Sequence, residues 1–174
     1  QVGGTVAANL TSEDNDITVV DREPQILQAL QDRLDLRTVV GNATYPEVLE
    51  RAGADDADMV IAVTDSDEAN MVACQISSTL FRTPSKIARV RAVEYLSHPQ
   101  IFGPGALPID VLISPEQLVT QYVRRLIEHP GAVQVMDFAD GKVRLVGVRA
   151  YYGGPLVGQE LRTLREHVPG VQTR

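Results

Sequence analysis

The sequence predicts an α/β fold, a doubly wound parallel sheet followed by the start of a smaller α+β module. Three observations lead to this. From residue 4 to about residue 129, short apolar runs alternate with stretches of helical periodicity. The short runs are aliphatic at successive positions, as strands are when both faces of a parallel sheet are buried. Polar residues gather in the turns that follow those runs. Those turns lie at the carboxyl ends of the strands, where an open α/β sheet takes its ligand.

Each element has its own signal. Residues 4–12 read as a helix behind the paired glycines Gly3 and Gly4. "ITVVD" is a short buried strand that ends on Asp21. "EPQILQALQDRL" places Pro24 near a helix start and Ile26, Leu27, Leu30 and Leu34 at helical spacing. "RTVVGNAT" is a second strand running into a loop, and "YPEVLERAGADDA" a helix with a glycine near its end. "DMVIAVTDSDEAN" is a third strand closing in a polar turn, and "EANMVACQISSTLF" the helix after it. "KIARVRAV" is a fourth strand and "EYLSHPQIF" a short helix. "IDVLISPEQLVTQYVRRLIEH" is a fifth strand and a long helix that begins near Ser114 and Pro115.

Beyond Pro130 the pattern changes. "AVQVMDFADGKVRLVGVRAY" holds two β-patterned runs around Asp140–Gly141, a hairpin signal. "GPLVGQELRTLREH" reads as a helix, and "VPGVQTR" ends where another strand is expected. The domains expected are therefore 1–130 and an incomplete module over 131–174.

Composition narrows the function classes. The chain has 174 residues, 44% hydrophobic and 22% charged, ordinary for a globular protein with a real core. No apolar run approaches the ~20 residues of a membrane span. The net charge of −7 repels phosphate backbones and anionic lipid, which argues against nucleic acid and leaves any membrane role to a protein partner. The single cysteine, Cys74, excludes an internal disulfide and sits in an apolar helical pattern that suits core packing. His98, His129 and His167 are scattered without metal-ligand spacing, and the first two precede prolines.

The opening "QVGGTVAANL" is a glycine turn feeding a helix with no strand before it. Read as the x-x-G tail of a G-x-G-x-x-G fingerprint, Gln1, Val2 and Gly3 imply a missing first strand and two missing glycines. The helix N-terminus could then face a pyrophosphate. A sheet without its central first strand leaves apolar edges open and is not expected to fold alone, unless a partner chain fills the gap. The fingerprint also expects an acid about 20 residues on, at the end of the second strand, to bind ribose hydroxyls. Asp21 stands there, and the competing reading is an ordinary turn or cap aspartate. An acid there favours free ribose hydroxyls, hence NAD or an adenine nucleotide over NADP. Arg22 either stacks on adenine or faces solvent. Asn42, Ala43 and Thr44 lie where adenine is expected, and Thr64 and Asp65 beside the pyrophosphate. Asp65, Asp67 and Glu68 are equally N-cap and helix-dipole candidates. Arg89 and Arg91 share one face of an aliphatic strand, where an arginine needs a partner, and a phosphate suits Arg89.

Together, "QVGGTVAANL", "ITVVD", "VVGNAT", "DMVIAVTDSDEANMVACQI", "IARVRAVEY" and "DVLISPEQLV" resemble the RCK/KTN nucleotide-binding family, regulators of bacterial Trk potassium uptake. The resemblance covers residues 1 to about 130. The segment "DGKVRLVGVRAYYGGPLVGQELRTL" resembles the start of that family's small C-terminal module. It implies a Rossmann-like domain that binds NAD(H) and also ATP or ADP. It further implies a homo-oligomeric ring, cytoplasmic and peripheral on the inner face of the membrane, that gates an integral-membrane potassium transporter subunit of the TrkH/TrkG kind. By position it assigns Gln1, Val2 and Gly3 to the glycine loop, Asp21 to ribose, Thr64 and Asp65 to the central strand end, and Arg89 to phosphates. Glu116 matches a position near the subunit interface, or is a first-turn helix acid. "GNAT" departs from the family's usual "GDAT" at Asn42.

Three functions compete. The first is a ligand-binding regulatory module with no catalytic residue and no metal. The second is an NAD-dependent dehydrogenase, which needs a substrate domain and an acid/base group at a strand end. The third is an oligomerisation domain with a vestigial nucleotide site.

Overall fold

The computed structural model describes residues 2–13, 15–103, 105–139, 141–154 and 157–158. The chain packs as two compact units, Gln1–Pro115 and Glu116–Arg174. That division falls at the start of the long helix, ahead of the change in sequence pattern near residue 130.

The first unit alternates helix and strand as expected. Its elements are α1 (Val2–Leu10), β1 (Thr18–Asp21), α2 (Pro24–Gln31), β2 (Arg37–Val40), α3 (Pro46–Arg51), β3 (Met59–Ala62), α4 (Asp67–Thr79), β4 (Ser85–Arg89), α5 (Val93–Leu96) and β5 (Val111–Ile113). Single 3₁₀ turns follow α1 and α5. Prolines open α2 and α3, where a missing N–H costs nothing.

All strand pairing in this unit is parallel. One ladder is β1–β2, with Thr18 opposite Arg37 and Asp21 opposite Val40. The other is β3–β4–β5, with Ala62 opposite Ala88 and Arg89 opposite Ile113. Among the described residues no strand pairs with the second edge of β1 or of β3. Helix α1 touches both sides of that break. A Cβ on Gly3 would lie 3.5 Å from Val63 Cγ2, and one on Gly4 3.5 Å from Leu30 Cδ2. Those are ordinary contact distances, so neither position needs glycine for space. Gly41 does. A Cβ there would stand 2.8 Å from both methyls of Val48, which is buried on α3. Its bare backbone therefore serves the packing of β2 on α3.

The core lies around β4. Ala62, Met71, Ala73, Cys74, Ala88, Val90 and Ile109 form one buried cluster, with Ala43 and Leu112 packed against it. Helix α4 contributes its face at Asn70, Met71, Ala73, Cys74 and Ser77, a helical repeat. Cys74 is fully buried, and burial pushes its thiol up to about 12, so it packs as an inert hydrophobe. Lys86 is also buried. Its Nζ lies 2.9 Å from Asp110 Oδ2 and donates to the carbonyls of Thr83 and Pro84, while its backbone N–H donates to the same carboxylate at 2.6 Å. Asp110 is held below the usual carboxylate value by those two Lys86 hydrogen bonds. The pair fastens the start of β4 to the segment entering β5.

The second unit holds α6 (Pro115–Glu128), β6 (Ala132–Phe138) and β7 (Val143–Val148). The strands form the expected antiparallel hairpin, Phe138 opposite Val143, turning through Ala139 and Gly141 at positive φ. Asp137 joins this unit together. It lies 3.1 Å from Arg125 of α6 and 2.6 Å from Arg144 of β7. Residues 159–174, with most of the expected second-module helix and His167, lie outside the described residues.

Candidate functional site

The carboxyl ends of β1, β2, β3 and β4 carry the residues singled out in the sequence. Gln1 lies outside the described residues. Val2 and Gly3 occupy the first turn of α1. Asp21 closes β1, and its Oδ1 accepts the backbone N–H of Glu23 at 2.9 Å. The turn-aspartate reading is thus realised on one oxygen, while Oδ2 makes no hydrogen bond among the described residues. The carbonyl of Asp21 accepts the N–H of Gly41 at 2.8 Å, which sets the two strand-end loops side by side.

In the second loop, Asn42 and Thr44 bind each other. Asn42 Oδ1 accepts from the backbone N–H of Thr44 at 3.0 Å and from its hydroxyl at 2.9 Å, a local turn of the kind asparagine favours. Ala43 turns its methyl to the core.

Arg22 and Asp65 meet across the break between the two ladders, with Arg22 NH2 3.7 Å from Asp65 Oδ1. Both side chains are well exposed, so the pair adds little stability. Its consequence is positional, because it places a cation and an anion together at the strand ends beside the break.

Two residues that the sequence reading did not assign to the site organise its far side. The first is Asp67. It is not the N-cap of α4. Ser66 is, its Oγ accepting from Ala69 N at 3.1 Å. Asp67 follows and is 6% exposed. Its Oδ2 accepts the backbone N–H groups of Arg91 and Ala92 at 2.7 and 2.8 Å, and its Oδ1 lies 3.3 Å from Arg91 Nε. Burial alone would raise its pKa. The two backbone donors and the Arg91 guanidinium outweigh burial and hold it below the usual value. Arg91 also donates from NH2 to the carbonyl of Asp65. Arg91 is thus held by Asp67 and the carbonyl of Asp65. Arg89 is half-buried at the end of β4.

The second is Asn70, which is fully buried. Its Oδ1 accepts the backbone N–H of Thr64 at 2.8 Å and its hydroxyl at 2.7 Å. Its Nδ2 donates to the carbonyls of Thr64 at 3.3 Å and Arg89 at 2.9 Å. The hydroxyl of Thr64 therefore serves the turn, and it also accepts the N–H of Ser66 at 3.3 Å. Glu68 accepts from Ser66 Oγ and Tyr95 OH, both at 3.0 Å.

A sequence signal for these two existed only as spacing. Positions 67 and 70 share a face of the first helical turn, but apart from Thr64, six residues from Asn70, their partners lie 19 to 25 residues away. His98 makes local contacts to Ser97 and to the carbonyl of Glu94, and His129 to the carbonyl of Arg125. Among the described residues no group of three or more His, Cys, Asp or Glu could hold a metal.

The Asp67 contacts predict an acid-sensitive strand end. Because its folded-state value is depressed, its contribution is fully present above the ordinary aspartate value of 3.8 and is lost as pH falls below it. Asp67→Ala should lose about 1–3 kcal/mol at pH 7, the cost of stranding buried donors. Denaturant unfolding at pH 7 and pH 3 checks this, since the difference between wild type and variant should shrink at the lower pH.

Comparison with known proteins matches this architecture. The sequence model of the TrkA-N domain fits residues 1–115. The Trk system potassium uptake protein TrkA of Halomonas elongata is 63% identical over 174 residues, all of this chain and 38% of that protein. The protein of the same name from Vibrio alginolyticus is 58% identical over 175 residues, again 38% of its length. The chain thus spans about two fifths of these relatives. Among solved structures, the TrkA-N domain of the inner membrane protein ybaL from Escherichia coli aligns with a TM-score of 0.58 at 20% identity, over 74% of this chain and 88% of that one. The Kef C-terminal domain of Shewanella denitrificans, solved in an AMP-bound form, aligns with a TM-score of 0.55 at 16% identity, over 74% and 75%. These two likenesses bear on the fold, which is Rossmann-like. With the family model covering residues 1–115 and a parallel α/β unit over the same span, the chain belongs to the TrkA-N domain family.

Proposed function

We propose that this chain is the nucleotide-binding part of a regulatory subunit for potassium uptake, acting from the cytoplasm on an integral-membrane transporter partner. The observation that carries the reading is Asp21, a carboxylate at the end of β1 with one oxygen making no hydrogen bond among the described residues. A ribose diol can donate to that oxygen, and a 2′-phosphate is repelled by it. NAD(H), ATP or ADP therefore fits better than NADPH. Arg22 and Arg89 at neighbouring strand ends suit the phosphates, and a phosphate could compete with Asp65 for Arg22. Names of relatives support the potassium role, and the AMP-bound neighbour supports an adenine nucleotide.

Regulation then works by differential affinity. A nucleotide that binds two assembly states unequally shifts their balance and so the transporter's flux. Among the described residues no His or Cys stands at a strand end, and the reading is a sensor rather than a dehydrogenase. No helix among the described residues is long and apolar enough to cross a membrane; attachment through the transporter partner is part of the proposal. The module over 131–174 is read as the start of the family's C-terminal domain.

A homo-oligomeric ring is the second part of the proposal. Helix α6 supports it, because Leu118, Val119, Tyr122, Val123 and Ile127 are all exposed along one helical stripe. Glu116, in its first turn, is read as an interface residue.

Two measurements test these readings. In calorimetric titration of the full chain, NADH or adenine nucleotides should bind and NADPH poorly. Asp21→Ala should lose about 1–3 kcal/mol of binding, the cost of unpaired ribose hydroxyls. No heat at millimolar ligand contradicts the site and makes the oligomerisation reading the leading one. Light scattering of the full chain should give a multiple of the protomer mass, and a monomer excludes the ring.

A further inference from the structure

We infer that Asn70 is a positioning residue for the nucleotide crevice, fixing the ends of β3 and β4 relative to each other before any ligand arrives. The inference rests on the nucleotide reading above and adds a residue to it. Asn70 is fully buried, and its four hydrogen-bonding capacities are all used. Two go to Thr64 as acceptor, and two go out as donor to the carbonyls of Thr64 and Arg89. Reversing the amide would set donor against donor at Thr64 and acceptor against acceptor at Arg89, so the network admits one orientation.

The position of this amide matters. Thr64 ends the extended segment after β3 and leads into Asp65, while Arg89 is the last residue of β4. These two backbones diverge here, as β4 bends toward α5 and β3 turns into α4. The ladder's own pairing ends at Ala62 opposite Ala88. Asn70 replaces the next rung with a side-chain amide. That leaves the strand ends apart but fixed, with Asp65 and Arg89 at a set spacing. Asp67, three residues earlier on the same helix, holds the continuation of β4 at Arg91 and Ala92. A buried polar group so fully engaged holds one arrangement, since any displacement leaves a donor or acceptor unpaired.

The test is Asn70→Asp in the full chain. The carboxylate keeps the two bonds from Thr64 but faces the carbonyls of Thr64 and Arg89 with lone pairs. Protonated, it donates to one of them as the amide does. Burial between two carbonyls raises its pKa, so the working form is present at low pH and lost as pH rises through that raised value. Binding of ATP and NADH is measured by calorimetry at pH 8 and pH 5.5, at a temperature where melting shows wild type and variant folded. The variant-to-wild-type affinity ratio removes the ligand's own titration. The expected result is roughly a tenfold or larger loss at pH 8, narrowing at pH 5.5. A folded variant that binds like wild type at pH 8, or a ratio that does not move with pH, overturns the inference while the nucleotide reading stands. Failure of the wild type to bind overturns both.

Should the variant not fold, hydrogen exchange of the wild type decides. The Thr64 amide, bonded to Asn70, should be protected without nucleotide. Exchange there at the rate of an open loop overturns the inference.

Discussion

The first turn of α4 is the constraint on which the ends of β3 and β4 depend. It places two buried polar side chains, Asp67 and Asn70, on one helix face. From there they hold four backbone points that lie outside the helix, at Thr64, Arg89, Arg91 and Ala92. A carboxylate at 6% exposure would cost several kcal/mol if it were unpaired. With three donors converging on it, the charge is kept and the turn is fixed. Ser66 caps the same helix and satisfies one of its free N–H groups. Helix start and strand ends are therefore a single hydrogen-bonded object.

Around that object the charges are unevenly placed. The chain carries a net −7, yet Arg22, Arg89 and Arg91 all cluster at strand ends. Arg91 is engaged by Asp67 and the carbonyl of Asp65, and Arg22 only loosely by exposed Asp65 at 3.7 Å. The first is part of the scaffold, and the second is free to exchange partners at little cost. The break between β1 and β3 lies beside this loose pair. Helix α1 rests against both sides of it, through Gly3 near Val63 and Gly4 near Leu30.

Much of the fold was legible from local pattern. Aliphatic runs such as "ITVV" and "MVIAV" mark strands buried on both faces, and prolines at 24, 46 and 115 mark helix starts. The Asp140–Gly141 turn marked the hairpin. Of the candidate site, the strand-end positions of Asp21, Asp65 and Arg89 were legible because turn position follows from strand position. The side-chain commitments were not. Asp67 reads as a helix-dipole acid, and only the fold brings Arg91 and Ala92 to it. Asn70 reads as one polar residue in an amphipathic helix, though it faces the core. Lys86 and Asp110 are likewise joined across 24 residues. Gly41 stands in a polar loop, and the room its missing Cβ leaves is filled by Val48. In each case the partner is set by tertiary pairing, which local sequence does not encode.

We propose above all that a nucleotide occupies the carboxyl ends of β1, β3 and β4. Amide chemical shifts of the isotopically labelled full chain, recorded with and without ADP, test it most directly. Perturbations should centre on Asp21–Arg22, Thr64–Asp65 and Arg89–Ala92, with the hairpin at 132–148 silent. Shifts confined to the hairpin or to the 45–51 segment, or none at millimolar ADP, would contradict it.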